Sequence, residues 1–412
     1  MSKKLQILIA ASAFLFSACG NNVTGVKSSK TDMLTSNSAS SPVETKTPNS
    51  EKKSFFAGQT RISGVKTNTA FEAKVLSSEL KSPWGIASLP DGRLLITEKG
   101  GAMKIVTQTG AISAALTGIP AVDSKGQGGL LGVTIDPAFA QNRMVYWAFS
   151  EPVSGGNHTS VAKGKLSADE KSLENAVVIY QATPAYDGNG HFGGRVVFDT
   201  KGNLLVSTGE RSDKETRPQA QDPKSGLGKV IRITRDGKAA PGNPTIDPTR
   251  PEIYSYGHRN VQGLAIHPVT GDIWEGEFGP RGGDEINRVQ PGKNYGWPTI
   301  TYGIEYSGAT IGEGITQKSG MEQPVYYWDP SISPSGITFY KGTSIPEWEN
   351  NLFVGALSGM HIARLVIKNN KVVGEERLLV EEKQRFRAVI QGNDSALYAV
   401  TDQGRLYWIG KK

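Results

Sequence analysis

The sequence predicts an all-β protein, a six-bladed β-propeller, on two observations. Beyond Phe56 it shows little helical periodicity. One unit recurs instead: an apolar stretch, a turn of the Asp-Gly type, and a second β-rich stretch. Three copies are clear: WGIASLPDGRLLITE from Trp84, GGRVVFDTKGNLLVSTGE from Gly193 and QGLAIHPVTGDIWEGE from Gln262. Three are looser: LLGVTIDPAFAQNRMVYWAFS from Leu130, SGITFYKGTSIPEWENNLFVGA from Ser335 and FRAVIQGNDSALYAVTD from Phe386. Copies spaced by about 45 to 75 residues fit propeller blades, each burying its faces only against its neighbours. A sandwich would not need one hairpin type to recur.

Composition agrees with one large β-architecture. The chain has 412 residues, 37% of them hydrophobic, enough to fill a sizeable core. The net charge of +7 reads as a mildly basic surface. No run of five basic residues occurs, and aromatics do not interleave with basic residues, so no nucleic-acid partner is expected.

The N-terminus reads as an export signal. Lys3 and Lys4 precede an apolar run from Leu5 to Phe16, followed by Ser17, Ala18 and Cys19. The run is too short for a comfortable membrane span. Cys19 is the only cysteine, so it has no disulfide partner within the chain. Small residues before a lone cysteine resemble a lipoprotein signal (residues 1–19), with Cys19 as the lipid-anchored mature N-terminus. Phe16 departs from that pattern, since the expected leucine lies one place earlier, at Leu15. Residues 20–60 are rich in Ser, Thr, Asn and Lys and read as a flexible tether. Residues 61–412 form the expected propeller.

In a propeller, loops at one end of the inner strands converge, so residues beside each inner strand are candidate site residues. His191 lies at the entry to one blade and Glu210 at the exit of its second strand. A hairpin brings these ends together. A carboxylate on one ring nitrogen would leave the other as a general base; the alternative is an ordinary loop histidine. In YGHRNVQG, Arg259 and Asn260 either face a carbonyl on which negative charge builds or bridge blades. Gln127, in GQGGLLG, is a further neutral donor. Arg385 and Arg387 alternate, which places both on one strand face. Enclosed together they need an anion, such as a ligand with several carboxylates; otherwise they are exposed. Glu277, Asp284 and Glu285 lie in a glycine-rich stretch, either an oxygen site for a hard cation or an acidic turn. No spacing matches a dinucleotide fingerprint, a Walker motif, a paired-cysteine zinc site or a hydrolase elbow.

Taken in order, GQGGLLG, HFGGR, GHRNVQG, GPRGGDEIN, GKNYGWP and RFR resemble the soluble sugar dehydrogenases that depend on pyrroloquinoline quinone (PQQ), in particular their aldose sugar dehydrogenase branch. The resemblance runs from about Phe71 to Ile409. It implies a six-bladed propeller that oxidises aldose sugars at C1 to lactones, by hydride transfer to PQQ. It implies that His191 is the general base, oriented by Glu210, and that Arg259 polarises the quinone carbonyl. Gln127, Asn260, Arg385 and Arg387 correspond to cofactor contacts. The carbonyls of Gly279 and Pro280 correspond to ligands of a calcium that clamps the quinone, and Asp284, Glu285 and the Tyr295 carbonyl to a second, structural calcium site.

Two departures set limits. Ser358 stands where the glucose-oxidising branch has a quinone-binding lysine, and Gly190 replaces an acidic residue before the base. Broad aldose activity, rather than glucose specificity, is therefore expected, with electrons passed to an external acceptor outside the cytoplasm. Two other readings stand beside it: a binding propeller without redox chemistry, and a calcium-dependent lactone hydrolase. Neither needs His191, Arg259 and the arginine pair together.

Overall fold

The computed structural model describes residues 40–412, so the expected signal and the first half of the expected tether lie outside the described residues. Six antiparallel sheets follow one another along the chain. Their inner strands are Pro83–Ser88, Leu130–Ile135, Gly193–Phe198, Val261–Ile266, Pro334–Phe339 and Phe386–Gln391. Each begins within two residues of a repeat read from the sequence. Blade one has three strands and the others four. Helix among the described residues is confined to Phe139–Asn142 and three short 3₁₀ turns.

The ring closes between distant parts of the chain. In blade six the outermost strand is Phe71–Ser77, which pairs with Leu406–Lys411 in register from Phe71↔Lys411. The pairing covers the outer edge of Leu406–Lys411 and makes Phe71–Ser77 the outer edge of the blade.

The cores lie between blades. Leu131, Val196 and Leu204 pack blades two and three together. Trp274, Ile337 and Val354 do so for blades four and five, and Ile86, Ala388 and Val400 for blades one and six. A lone blade would leave such faces in water, so the blades stabilise one another.

A β-bulge interrupts the register near the start of every inner strand, for example between Pro83 and Gly85 and between Phe386 and Ala388. A bulge turns a strand and re-aims its side chains. Six at the same end redirect the residues that precede the inner strands. Glycine here admits the neighbouring blade: a Cβ on Gly336 would lie 2.8 Å from the Ala388 Cα, and one on Gly85 2.9 Å from the Val133 amide.

The expected tether boundary at residue 60 needs correction. Ser40–Lys412 is one compact unit, and Glu44 and Gln59 are buried. The segment carries little apolar surface. It docks instead by polar contacts, such as Glu44 Oε2 to Arg377 Nη2 at 2.9 Å and Gln59 Nε2 to the Pro324 carbonyl at 2.9 Å.

Candidate active site

His191 Nδ1 lies 2.9 Å from Glu210 Oε1, and both residues are buried. The hairpin of blade three supplies both. Glu210 Oε1 holds one ring nitrogen, and Nε2 has no hydrogen-bond partner among the described residues. His191 has φ of +43°, an uncommon backbone state for a residue with a side chain. Neighbours hold it there. Its N–H donates to Gln127 Oε1 at 3.0 Å, and Gly209 packs so close that a Cβ would collide with the His191 carbonyl. Burial and the nearby Arg259 push the His191 pKa below its usual value, while Glu210 opposes the shift. The ring is therefore neutral near pH 7, as a base must be.

Arg211 supports the same loop and was not singled out by sequence. Its buried guanidinium donates to the Gly188 carbonyl at 2.6 Å and stacks 4.0 Å from the Phe192 ring centroid. Gly190, where the glucose branch carries an acid, also has a local cause: a Cβ would lie 2.7 Å from that of Ser212.

Arg259 and Asn260 reach the site from the entry to blade four. Arg259 Nη1 donates to the carbonyls of Phe278 (3.1 Å) and Gly279 (2.7 Å), and its Nε is buried without a partner. Asn260 Oδ1 accepts from the Gly193 amide at 3.0 Å, whereas its buried Nδ2 has no partner. Two orphaned donors beside a neutral histidine suit a ligand with carbonyl oxygens.

Arg387 lies on the inner strand Phe386–Gln391 and Arg385 just before it, ahead of the bulge between Phe386 and Ala388, so the expected shared strand face is replaced by a shared partner. Both reach Asp402, at 2.9 and 2.8 Å, a residue that sequence reasoning missed. Burial would raise the Asp402 pKa, but the two guanidinium groups outweigh it and hold it low. Two cations on one carboxylate leave a net positive charge for an anionic ligand. Arg387 is the deeper, its side chain 15% exposed against 39% for Arg385. Arg387 Nη1 also meets Gln262 Oε1 at 3.0 Å, and Gln262 Nε2 meets Asn260 Oδ1 at 3.3 Å. Blades six and four are thus linked at the site.

The acidic stretch separates into three roles. Asp284 accepts from the amides of Gly279, Ile332 and Ser333 at 2.7 to 2.8 Å, so its carboxylate braces the loops beside the expected structural cation site. Glu285 lines a cavity of about 10 Å³ with Glu277, Gly279 and Tyr295, space for roughly one ion or water. Burial, then the charge of Glu277, raises the Glu285 pKa well above the carboxylate range. Such an oxygen-rich, charge-crowded cavity fits a calcium ion. Among the described residues, His258, Glu275 and Glu277 form the group of metal-binding type. His258 lies 3.7 and 3.5 Å from the two carboxylates and stacks on Tyr295 at 4.7 Å. Burial disfavours its charge, but the two glutamates outweigh that and lift its pKa to about 9. It therefore packs the loop as a cation. The alternation in IWEGE could have shown that Glu275 and Glu277 share a face.

The ring of six blades and the histidine–glutamate pair at one end define a propeller with a polar site at its inner-strand entries. The family model for glucose/sorbosone dehydrogenases matches residues 80–408, and the chain belongs to that family. It is 42% identical over 335 residues to the aldose sugar dehydrogenase YliI of Escherichia coli, covering 80% of this chain and 90% of that protein. The apo-form crystal structure of the soluble aldose sugar dehydrogenase from Escherichia coli is 40% identical, with a TM-score of 0.79 over 83% of this chain and all of that one. The PQQ-bound aldose sugar dehydrogenase of Streptomyces coelicolor is 32% identical, with a TM-score of 0.69 over 84% of this chain and 99% of its own.

Proposed function

We propose that the protein is a PQQ- and calcium-dependent aldose sugar dehydrogenase that oxidises the sugar C1 hydroxyl and yields the lactone. The carrying observation is the His191–Glu210 pair, with Nε2 of a neutral ring left open beside Arg259. His191 Nε2 takes the proton of the C1 hydroxyl. Glu210 fixes the tautomer, places a proton on Nδ1 and stabilises the ring once it is charged. Arg259 and the unpartnered Nδ2 of Asn260 would hold carbonyl oxygens of the cofactor. Gln127 holds the His191 amide in place. Arg385 and Arg387 bind the cofactor's carboxylates with the charge left over after Asp402. When bound, PQQ supplies the two-electron acceptor for the C1 hydride.

The carbonyls of Gly279 and Pro280 would hold one calcium, and Asp284, Glu285 and the Tyr295 carbonyl would hold a second. We also propose export and a lipid anchor at Cys19, with electrons passing to an acceptor outside the cytoplasm. Mass spectrometry of the mature N-terminus checks the anchor, since an unlipidated start elsewhere would remove it. For the activity, apoprotein is given calcium, PQQ and a panel of aldoses with an electron-accepting dye. Dye reduction that requires all three is expected. Absence of quinone binding would overturn the reading.

A further inference from the structure

Residues 40–63 precede the family match, which begins at residue 80, yet they touch the loops of the candidate site. The Asn49 amide and Nδ2 donate to Asp329 Oδ1 at 2.8 and 2.9 Å, and the Ser50 amide to Oδ2 at 3.1 Å. Arg61 Nη2 donates to the Asp329 carbonyl at 2.7 Å. The Lys52 ammonium joins the carbonyls of Thr301 and Gly303, at 2.8 and 3.0 Å, and Arg281 Nε reaches Asn49 Oδ1 at 3.2 Å.

The captured Asp329 lies against Gly282, where a Cβ would be 2.7 Å from Oδ1. Two residues on, the Ser331 hydroxyl accepts from the Gly282 amide at 2.9 Å and donates to the Pro280 carbonyl at 3.3 Å. The amides of Ile332 and Ser333 hold Asp284. A continuous set of polar contacts thus leads from Asn49 through the 329–333 loop to the loop of Gly279 and Pro280. Asn49 and Arg281 also line a cavity of about 320 Å³ with Gly279, Pro280, Tyr306 and Ser358.

We propose that residues 40–63 form a strap that positions the cation-clamping loop, with Asn49 and Ser50 as positioning residues acting through Asp329. The calcium arm rests on the function proposed above; the loop arm does not. In the full-length apoprotein, Asn49→Pro removes the backbone amide donor together with the Asn49 side-chain contacts, and Asn49→Ala with Ser50→Ala removes the side-chain contacts alone. Amide hydrogen exchange at residues 279–283 and 301–304 should accelerate about tenfold or more, while blades two and three remain unchanged. Calcium affinity, measured by calorimetry, should fall about tenfold, with kcat recovered at saturating calcium. Asn49→Asp restores an acceptor to Arg281 but sets a charge against Asp329, so it should not rescue. Unaltered exchange in these loops would overturn the strap as a brace. Faster exchange with wild-type calcium affinity would overturn its positioning role. A wild-type protein that binds no calcium would refute the proposed function, and the exchange result would still decide on the strap.

Discussion

The Glu210 carboxylate meets His191 on the nitrogen that faces away from the open side of the ring, at 2.9 Å, with both groups buried. This fixes which nitrogen is free to act. His191→Ala should lower kcat by about 10²–10⁴, the usual contribution of a positioned base, with quinone affinity nearly unchanged. Glu210→Gln keeps a hydrogen-bond acceptor but removes the charge, so kcat should fall by a smaller factor. Steady-state kinetics and a quinone titration check both. Unchanged turnover in His191→Ala would remove it from the mechanism.

The pH profile follows from the lowered His191 pKa. As the proposed base, His191 works only when neutral, so activity should fail as pH falls through its pKa. Burial and Arg259 place that pKa below the ordinary 6.5, and the acid limb of kcat/KM should lie below pH 6.5. Glu210→Gln removes an influence that raises the pKa, so the limb should move further into acid. A limb above pH 6.5 in the wild type would contradict the burial argument.

Unequal depth separates the two channel arginines. Arg387→Ala should weaken quinone binding more than Arg385→Ala, because the deeper guanidinium is less screened by water. A loss of about tenfold or more is expected for Arg387, from the 1.5–3 kcal/mol of a hydrogen bond to a charged group. Equal, small effects would mean that both face solvent.

Calcium should raise the melting temperature of the apoprotein, by mass action on the folded state, and Glu285→Gln should remove much of that rise. Melting scans with and without chelator check this. An equal calcium response in both proteins would place the ion elsewhere.

His361 gives a prediction about stability rather than turnover. Burial first, then Arg377, lowers its pKa to about 4, so the folded state holds it neutral. Its stabilising contribution is fully present above pH 6.5 and is lost as pH falls towards 4. His361→Gln should flatten the acid side of a denaturation series between those values.

The fold was legible because each inner hairpin writes itself locally. Leu94 and Leu204 follow turns whose chemistry is visible within a few residues. The pairing of Phe71 with Lys411 was not, since register between chain ends leaves no local pattern. Site residues beside an inner strand, such as His191 and Arg259, followed from blade position. Asp402 and Arg211 escaped because their importance lies in what they touch, not in their spacing. Residues 40–60 misled for a related reason: composition reports whether a segment can bury apolar surface, and this one docks through hydrogen bonds.

The closure of blade six has a topological meaning. With Phe71–Ser77 paired to Leu406–Lys411, the propeller is a circle whose nick lies between two neighbouring strands of one sheet. A circle can be nicked elsewhere. Joining the ends and reopening the chain in a loop between other blades would preserve every blade contact, whereas deleting the last six residues would strip blade six of two strands at once.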